Sequence, residues 1–451
     1  MTKRTTAPQA RKLRRCSHQY ANGTNAWHPA SYLPETYEQC GVCHETRYTP
    51  EYVAVKAQEV LQHVSVHHGL CSDVLATLDD NSVDSMITDP PSGTAFMGKE
   101  WDKNHGGRDE WIALRRGEFA QALRVLKPGA HAYVWAFPKT AHWTMIALED
   151  AGFLIRDVMH HFYANGYPKS LDISKEIDAK LHAMRENSAI PKTDEALAFE
   201  GIGTGLKPSC EHWILVQKPR EESFADTALH YGTGGIDIDA TRVPYPAGAK
   251  VTGSSALGRW PGNILLSHSL FCTQGECTDD CPVKIFDAQS PGISDMVNVL
   301  WPGEDDDPAD LFQLLYMPKP SREEREAGLE NFTGKTREAL TKRKAGSAGI
   351  NNPRASQRGG GNIKNIHPTV KPVGLYMFLM KQITPRPRKD APPPVTMDIY
   401  AGSLTAGVAA IRLGIDAILI EADTGNEGYI DIGNARMLHA AQEVTKGNIA
   451  A

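Results

Sequence analysis

Residues 395–421 constrain the fold more tightly than any other segment. Val395-Thr396-Met397-Asp398-Ile399-Tyr400 is apolar enough for a buried strand, Ala401-Gly402-Ser403-Leu404 is a short loop, and Thr405-Ala406-Gly407 opens a helix that continues through Val408-Ala409-Ala410-Ile411. Asp416-Ala417-Ile418-Leu419-Ile420-Glu421 then forms a second strand, ending in an acid about twenty residues beyond the loop. Such alternation of strand, helix and strand requires a parallel sheet. Glycine in the loop lets the backbone approach a ligand closely, and a carboxylate at Glu421 can hold a ribose diol through both oxygens. No basic run and no Lys-Ser/Thr pair accompanies the loop. A nucleoside without phosphates, such as S-adenosylmethionine, therefore fits it better than a triphosphate.

A strand end far upstream carries reactive groups. Ser82-Val83-Asp84-Ser85-Met86-Ile87 reads as a turn entering a buried parallel strand, so Thr88-Asp89-Pro90-Pro91-Ser92 lies at the carboxyl end, where open α/β sheets bind ligands. The exocyclic amine of a nucleobase is a poor nucleophile because its lone pair is delocalised into the ring. The Asp89 carboxylate can accept one amine hydrogen and the Pro90 carbonyl the other, which favours a pyramidal, more nucleophilic nitrogen. Pro90 and Pro91 fix φ near about −65° and bring no N–H, leaving a rigid surface of acceptors only. Taken alone, the same tripeptide serves equally well as a turn before a helix.

These blocks, in this order, resemble the β group of amino-methylating DNA methyltransferases, in which the catalytic half of the fold precedes the cofactor half. His367-Pro368-Thr369-Val370-Lys371-Pro372 matches that group's block ahead of the cofactor loop, where the lysine lies near the methionine carboxylate. Phe96-Met97-Gly98-Lys99-Glu100-Trp101-Asp102, Asn165-Gly166-Tyr167-Pro168-Lys169-Ser170, Leu206-Lys207-Pro208 and Ser321-Arg322-Glu323-Glu324-Arg325-Glu326-Ala327-Gly328 resemble the phage-type branch, so the likeness runs from residue 65 to residue 440. It implies an α/β fold with a circularly permuted, Rossmann-like methyltransferase sheet and an inserted target-recognition region. It further implies methyl transfer from S-adenosylmethionine to the 6-amino group of adenine in double-stranded DNA, with the base flipped out of the duplex. Asp89 rather than Ser at the head of its string favours adenine by the same likeness. A cytosine 4-amino methyltransferase and a catalytically inactive DNA-binding descendant are the rival readings.

The resemblance assigns Leu70, Cys71, Asp89, His367, Thr369, Lys371, Asp398, Tyr400, Ala401, Gly402, Ser403 and Glu421 to the cofactor. Asp89, Pro90, Pro91 and Ser92 fall to catalysis. Three departures stand out. The family has an aromatic after Asp-Pro-Pro that stacks on the extruded base, and here Ser92 occupies that place, leaving Phe96 or Trp101 to supply a ring. The family's cofactor loop reads Asp-Pro-Phe-Ala-Gly-Ser-Gly, whereas this chain has Ile399, Tyr400 and Leu404 at the varied places. Finally, His68-Gly69-Leu70-Cys71 stands where Gly-Asp is usual, so backbone groups must replace a carboxylate near the adenine.

With 41% hydrophobic and 23% charged residues among 451, the composition is that of a globular protein long enough for about three structural units. No run approaches a membrane span, and the basic start Met1-Thr2-Lys3-Arg4 lacks a signal peptide's apolar stretch, so a cytoplasmic protein without membrane association is expected. A homodimer is compatible with this reading. The net charge of −6 argues against DNA only as an average. Lys335, Arg337, Lys342, Arg343, Lys344, Arg354, Arg358 and Lys364, against the single acid Glu338, give residues 335–364 a net charge of +7. This Gly-, Ser- and Asn-rich segment reads either as an arm that neutralises phosphates or as a solvated linker.

The eight cysteines divide into clusters. Cys16-x-His18 with Cys40-x2-Cys43 has the paired spacing of a zinc ribbon or knuckle, with His28 and His44 as substitute ligands. His268-x3-Cys272-x4-Cys277-x3-Cys281 is a second compact set, and a cytoplasmic setting disfavours disulfides for either. Structural zinc is thus expected in addition to the nucleoside cofactor. The Cys71 and Cys210 thiols read as core. The expected organisation is a small zinc-binding module at 1–50, the catalytic half at 51–175, a target-recognition insert at 176–365 with a returning core strand near 211–218, and the cofactor half at 366–451.

Overall fold

A computed structural model describes residues 49–447 apart from 105, 164–169, 184–189, 207, 244–257, 269–271, 273–275, 280, 290–297, 301–321, 337–338, 341–361, 390 and 426, together with the backbone of three short strands before residue 49. The chain divides into two compact units, residues 1–62 with 441–451 and residues 63–440. In the first, β1 (Trp27–Pro29), β2 (Tyr37–Cys40) and β3 (Thr46–Tyr48) form an antiparallel sheet, and the helix Pro50–Leu61 starts at Thr49, whose hydroxyl accepts from the Tyr52 N–H.

The second unit is built on a nine-stranded sheet in the order β10-β9-β7-β8-β6-β5-β11-β12-β4. In its interior lies β5 (Val83–Thr88), every residue of which is buried, flanked by β6 (Leu126–Ala136) and β11 (Val395–Asp398). All neighbours are parallel except β8 (Cys210–Gln217), which runs antiparallel to both β6 and β7 (Leu154–Phe162). The returning strand expected near 211–218 is this β8. β12 (Asp416–Glu421) lies beyond β11, with β4 (Val64–His68) at the edge. Residues 64–68, expected in the catalytic half, therefore sit beside the last strand of the cofactor half. On the opposite edge, β9 (Ile264–Ser267) and β10 (Asn298–Leu300) extend the sheet from within the expected insert.

Alternation along β5 divides the core. Met86 joins Trp111, Phe119, Leu126 and Leu148 in one apolar cluster served by the helices Arg108–Val125 and Ala141–Asp150. The Ser85 hydroxyl points the other way, 2.8 Å from Thr384, where the apolar helix Val373–Ile383 packs. Trp213 of β8 meets Tyr376 of that helix edge-on at 5.6 Å. Residues 224–241 also return to this core, since Asp237 N–H donates to the Gln382 carbonyl at 2.7 Å and the Thr233 hydroxyl to the Pro128 carbonyl at 2.5 Å. No helix among the described residues is long and apolar enough to cross a membrane.

Candidate active site

β5 and β11 are adjacent and parallel, so the loops at their carboxyl ends face one another across the centre of the sheet. The Thr88 hydroxyl joins them by donating to Asp398 at 2.7 Å. Asp398 is 1% exposed, and burial pushes its carboxyl up to about 7 against the opposing pull of Thr88 and the Tyr400 N–H.

Asp89 leaves the end of β5 with its carboxylate largely buried. One oxygen, Oδ2, accepts from the Lys371 ammonium, while Oδ1 has no donor among the described residues. Burial raises the Asp89 carboxyl to about 6, and Lys371 holds it from rising further. Lys371 thus lies against the Asp89 carboxylate, 282 positions away in sequence. Its ammonium also sits 4.0 Å over the ring of Trp135, whose indole N–H donates to Glu211 at 3.0 Å and which stacks with Phe137. Trp135 is therefore an aromatic wall beside Asp89 that sequence reasoning missed, because it comes from the end of β6.

Asp102 explains how Ser92 can follow Pro91. Its carboxylate, 1% exposed, accepts from the Ser92, Gly93 and Phe96 N–H groups and the Ser92 hydroxyl, fixing the turn after the prolines. Gly93 must be glycine there: φ is +71° and a Cβ would lie 2.9 Å from the Trp111 indole nitrogen. Trp101 stacks on His367 at 6.2 Å, and His367 meets Tyr429 edge-on at 4.6 Å. Trp101 hence packs against His367 near the 398–404 loop, while Phe96 contributes its backbone to the Asp102 turn.

On that side, Glu421 at the end of β12 accepts from the Gly402 N–H at 2.7 Å and the Asp423 N–H at 2.8 Å. Loop and acid therefore meet as the spacing requires, and burial raises the Glu421 carboxyl above its usual range. Gly402 has φ +53°, and a Cβ would approach His367 Nε2 to 2.9 Å. Burial lowers the His367 imidazole to about 3, keeping it neutral. Ser403 accepts from the buried Arg436 and from Asn365. Ala401 is tied to β12 through the Ile420 carbonyl. Tyr400 turns inward, donating to Glu118 at 2.5 Å and accepting from Arg115 at 2.9 Å. Thr369 is partly buried in the turn before Lys371. Exposed Leu70 follows Gly69, whose N–H donates to the Glu421 carbonyl, whereas the Cys71 side chain is core, its thiol raised to about 12 by burial.

Leu404 adopts the left-handed conformation, φ +56°, at the loop position where glycine would be free of strain. It is fully buried, and its side chain fills the space over Gly433, where a Cβ would lie 2.2 Å from Leu404 Cγ. The buried nitrogens His367 Nδ1, Trp101 Nε1 and Arg436 Nη2 have no partner among the described residues. Unpaired donors and acceptors beside a glycine cradle and an acid fit a polar nucleoside with a charged amino-acid tail.

The family model for DNA methylases of the N6/N4 type matches residues 83–434. The chain belongs to this family. The match opens at the first residue of β5 and closes in the helix Tyr429–Gly447, so it contains Asp89, Lys371, the 398–404 loop and Glu421. Members are DNA amino-methyltransferases of the adenine N6 or cytosine N4 type, with S-adenosylmethionine as cofactor. Solved structures similar to the chain include the PvuII DNA methyltransferase (cytosine-N4-specific), at 13% identity and TM-score 0.40 over 85% of this chain and 93% of that one. The M1.HpyAVI–SAM complex has 13% identity and TM-score 0.36, covering 83% and 98% of the two chains. A putative DNA modification methylase from Thermus thermophilus has 14% identity and TM-score 0.35, covering 83% and 94%. No curated protein matches the sequence.

Among the metal-type residues, His268, Cys272, Cys277 and Cys281 converge. Cys16, His18 and Cys43 lie outside the described residues, and Cys40 is described only as the end of β2. Of the basic segment, Lys335 is exposed and Lys364 donates to the Glu330 carbonyl at 2.8 Å. Arg337, Lys342, Arg343, Lys344, Arg354 and Arg358 lie outside the described residues. The ends of the segment are joined, since Lys335 and Ile363 exchange backbone hydrogen bonds of 2.9 and 2.8 Å.

Proposed function

We propose that the chain is a site-specific DNA methyltransferase that methylates the 6-amino group of adenine in duplex DNA. The observation that carries this reading is the half-satisfied Asp89 carboxylate, held at Oδ2 by Lys371 with Oδ1 open, at the end of the strand next to the cofactor loop. Oδ1 accepts one hydrogen of the extruded amine and the Pro90 carbonyl the other, localising the lone pair on nitrogen. S-adenosylmethionine supplies a methyl group on a good sulfonium leaving group. Glu421 and the Gly402 loop hold its nucleoside, and His367, Trp101 and Tyr429 wall that side. Lys371 keeps Asp89 ionised within a buried setting, so catalysis rests on positioning and electrostatics. Trp135 offers the flipped base an aromatic surface in place of the residue missing after Pro91.

In this reading the catalytic blocks precede the cofactor blocks in a permuted sheet, most of residues 176–365 outside the sheet strands reads the target, and residues 335–364 contact phosphates. The test is incubation with duplex DNA and S-adenosylmethionine, then nucleoside mass spectrometry. N6-methyladenine is expected. N4-methylcytosine would transfer the mechanism to the cytosine reading, and neither product, with cofactor still bound, would leave an inactive descendant.

A further inference from the structure

We infer that His268, Cys272, Cys277 and Cys281 form a structural zinc site that fastens the end of β9 to the helix Pro282–Gln289. The backbone brings the four together from three places. β9 runs parallel to β7 and ends at Ser267, so His268 is the first residue off the sheet. Cys281 closes the segment, and its carbonyl accepts from the Ile285 N–H at 3.0 Å, starting the helix. Cys272 and Cys277 come from the chain between.

All four ligand atoms lie within 4.8 Å of one another, and His268 Nδ1 is 3.3 Å from the sulfurs of both Cys277 and Cys281. Zinc bonds of about 2.0–2.1 Å to nitrogen and about 2.3 Å to sulfur give a tetrahedron with N···S edges of about 3.6 Å and S···S edges of about 3.8 Å. The two His268 Nδ1–sulfur separations are a few tenths of an ångström short of such an N···S edge, roughly, and the 4.8 Å span of the whole set is of the same scale as the tetrahedron.

The chemistry of the set selects the metal. Three sulfurs and one imidazole are soft to borderline donors, suited to zinc and unsuited to magnesium or calcium. Four protein ligands leave no open position for water, so the site is structural rather than catalytic. Among the described residues, none of the three cysteines is joined in a disulfide. The Thr278 hydroxyl lies 3.7 Å from the Cys272 sulfur, where it can donate to a thiolate.

Packing supplies a reason for such a clamp. Among the described residues, the apolar cluster here has Leu266, Cys272, Cys281 and Val283 as buried members, with Phe162, Ile264, Cys277 and Phe286 partly buried around them. Half of its buried members are cysteines, and apolar burial of this extent is the kind that small modules supplement with metal. The site lies at the sheet's edge, with β7, β8 and β6 between β9 and the catalytic strand β5. Its loss should therefore spare cofactor binding.

The test uses the full-length chain, because residues 16–43 carry ligand-type residues of their own and only a difference in stoichiometry is informative. Mass-spectrometric metal analysis of the purified protein should show one zinc per chain fewer in Cys277→Ser and in Cys281→Ser than in the unmodified protein, while Cys277→His retains it. Alkylation mapped by peptide mass spectrometry gives a readout that needs no variant to fold: Cys272, Cys277 and Cys281 should become reactive only after a chelator is added. Equal zinc content in the serine variants, alkylation independent of chelator, or a disulfide among the three would overturn the assignment.

Discussion

Replacing Lys371 with Met tests the centre of the mechanism, because it keeps the aliphatic stem over Trp135 and removes only the charge facing Asp89. Burial already raises the Asp89 carboxyl to about 6, with Lys371 the largest influence in the opposite direction. Breaking a buried ion pair costs about 3–5 kcal/mol, and one pH unit corresponds to about 1.36 kcal/mol, so the ceiling on the further rise is about 2.2–3.7 units. Asp89 is 15% exposed, and the water reaching it moderates the effect to about 2 units. The active form is the carboxylate, so the acid limb of the rate profile should move from about 6 to about 8. At pH 7 the ionised fraction falls from about nine-tenths to about one-tenth, a roughly tenfold loss that alkaline buffer recovers. The assay is single-turnover methyl transfer to cognate duplex between pH 5 and 9 at saturating cofactor, with cofactor affinity measured by calorimetry. An acid limb unmoved at 6, coupled to weakened cofactor binding, would refute this role and return Lys371 to the methionine carboxylate.

Asp398→Asn reports the cost of a buried acid: its folded value, about 7, lies above the ordinary carboxylate value, so the native state favours the protonated form and stability is lost as pH rises through 7. Relative to the unmodified protein, the Asn variant should gain up to about 4 kcal/mol between pH 4 and pH 8, read by denaturant titration; a pH-independent difference would contradict the shift. Gly433→Ala places a Cβ against Leu404 and should destabilise by about 1–3 kcal/mol, with Leu404→Gly recovering much of the loss; absence of coupling in the double-mutant cycle would show that the two do not share the space. Trp135→Ala should weaken cognate DNA binding by about 1–3 kcal/mol, as loss of base stacking does, while leaving unrelated duplexes and cofactor affinity unchanged; a loss common to all duplexes would assign Trp135 to the fold. Replacing Lys342, Arg343 and Lys344 with Ala should flatten the log affinity against log salt slope by about 2.7 units if each contacts a phosphate, and a solvated linker predicts no change in slope.

Local pattern made the two central strands legible, because β5 and β11 are apolar runs ending in loops with unmistakable residue types. It also placed Glu421 within reach of Gly402, since a single loop and helix separate them. What the sequence hid is long-range pairing. Nothing near residue 371 announces that its ammonium meets Asp89, and nothing near residue 135 announces an aromatic beside the active site. Both depend on which strands lie side by side. β4 was read with its sequence neighbours and joins β12 instead, because strand adjacency in a parallel sheet is set by crossover connections rather than by order. Lys127-Pro128-Gly129 reads as a helix stop, yet β6 begins directly at Leu126 and carries these residues, with Gly129 at φ +75° against Thr227. Asp102 was visible only as part of a resemblance. Its organising role emerges once the donors of the 92–96 turn surround it.

The insertion of β11 and β12 between β5 and β4 has a consequence for how the chain comes off the ribosome. Residues up to 394 can assemble β5, β6, β7 and β8 side by side, but among the described strands β4 pairs only with β12, and one edge of β5 stays bare. Until the final segment emerges, a strand that ends up wholly buried is an open template for pairing with other chains. The contacts that close the gap, Thr396 to Ser85 and Ile418 to Ser65, span more than 300 positions. Closure is therefore a late event, and a chain interrupted before residue 395 should aggregate rather than persist as a stable half-enzyme.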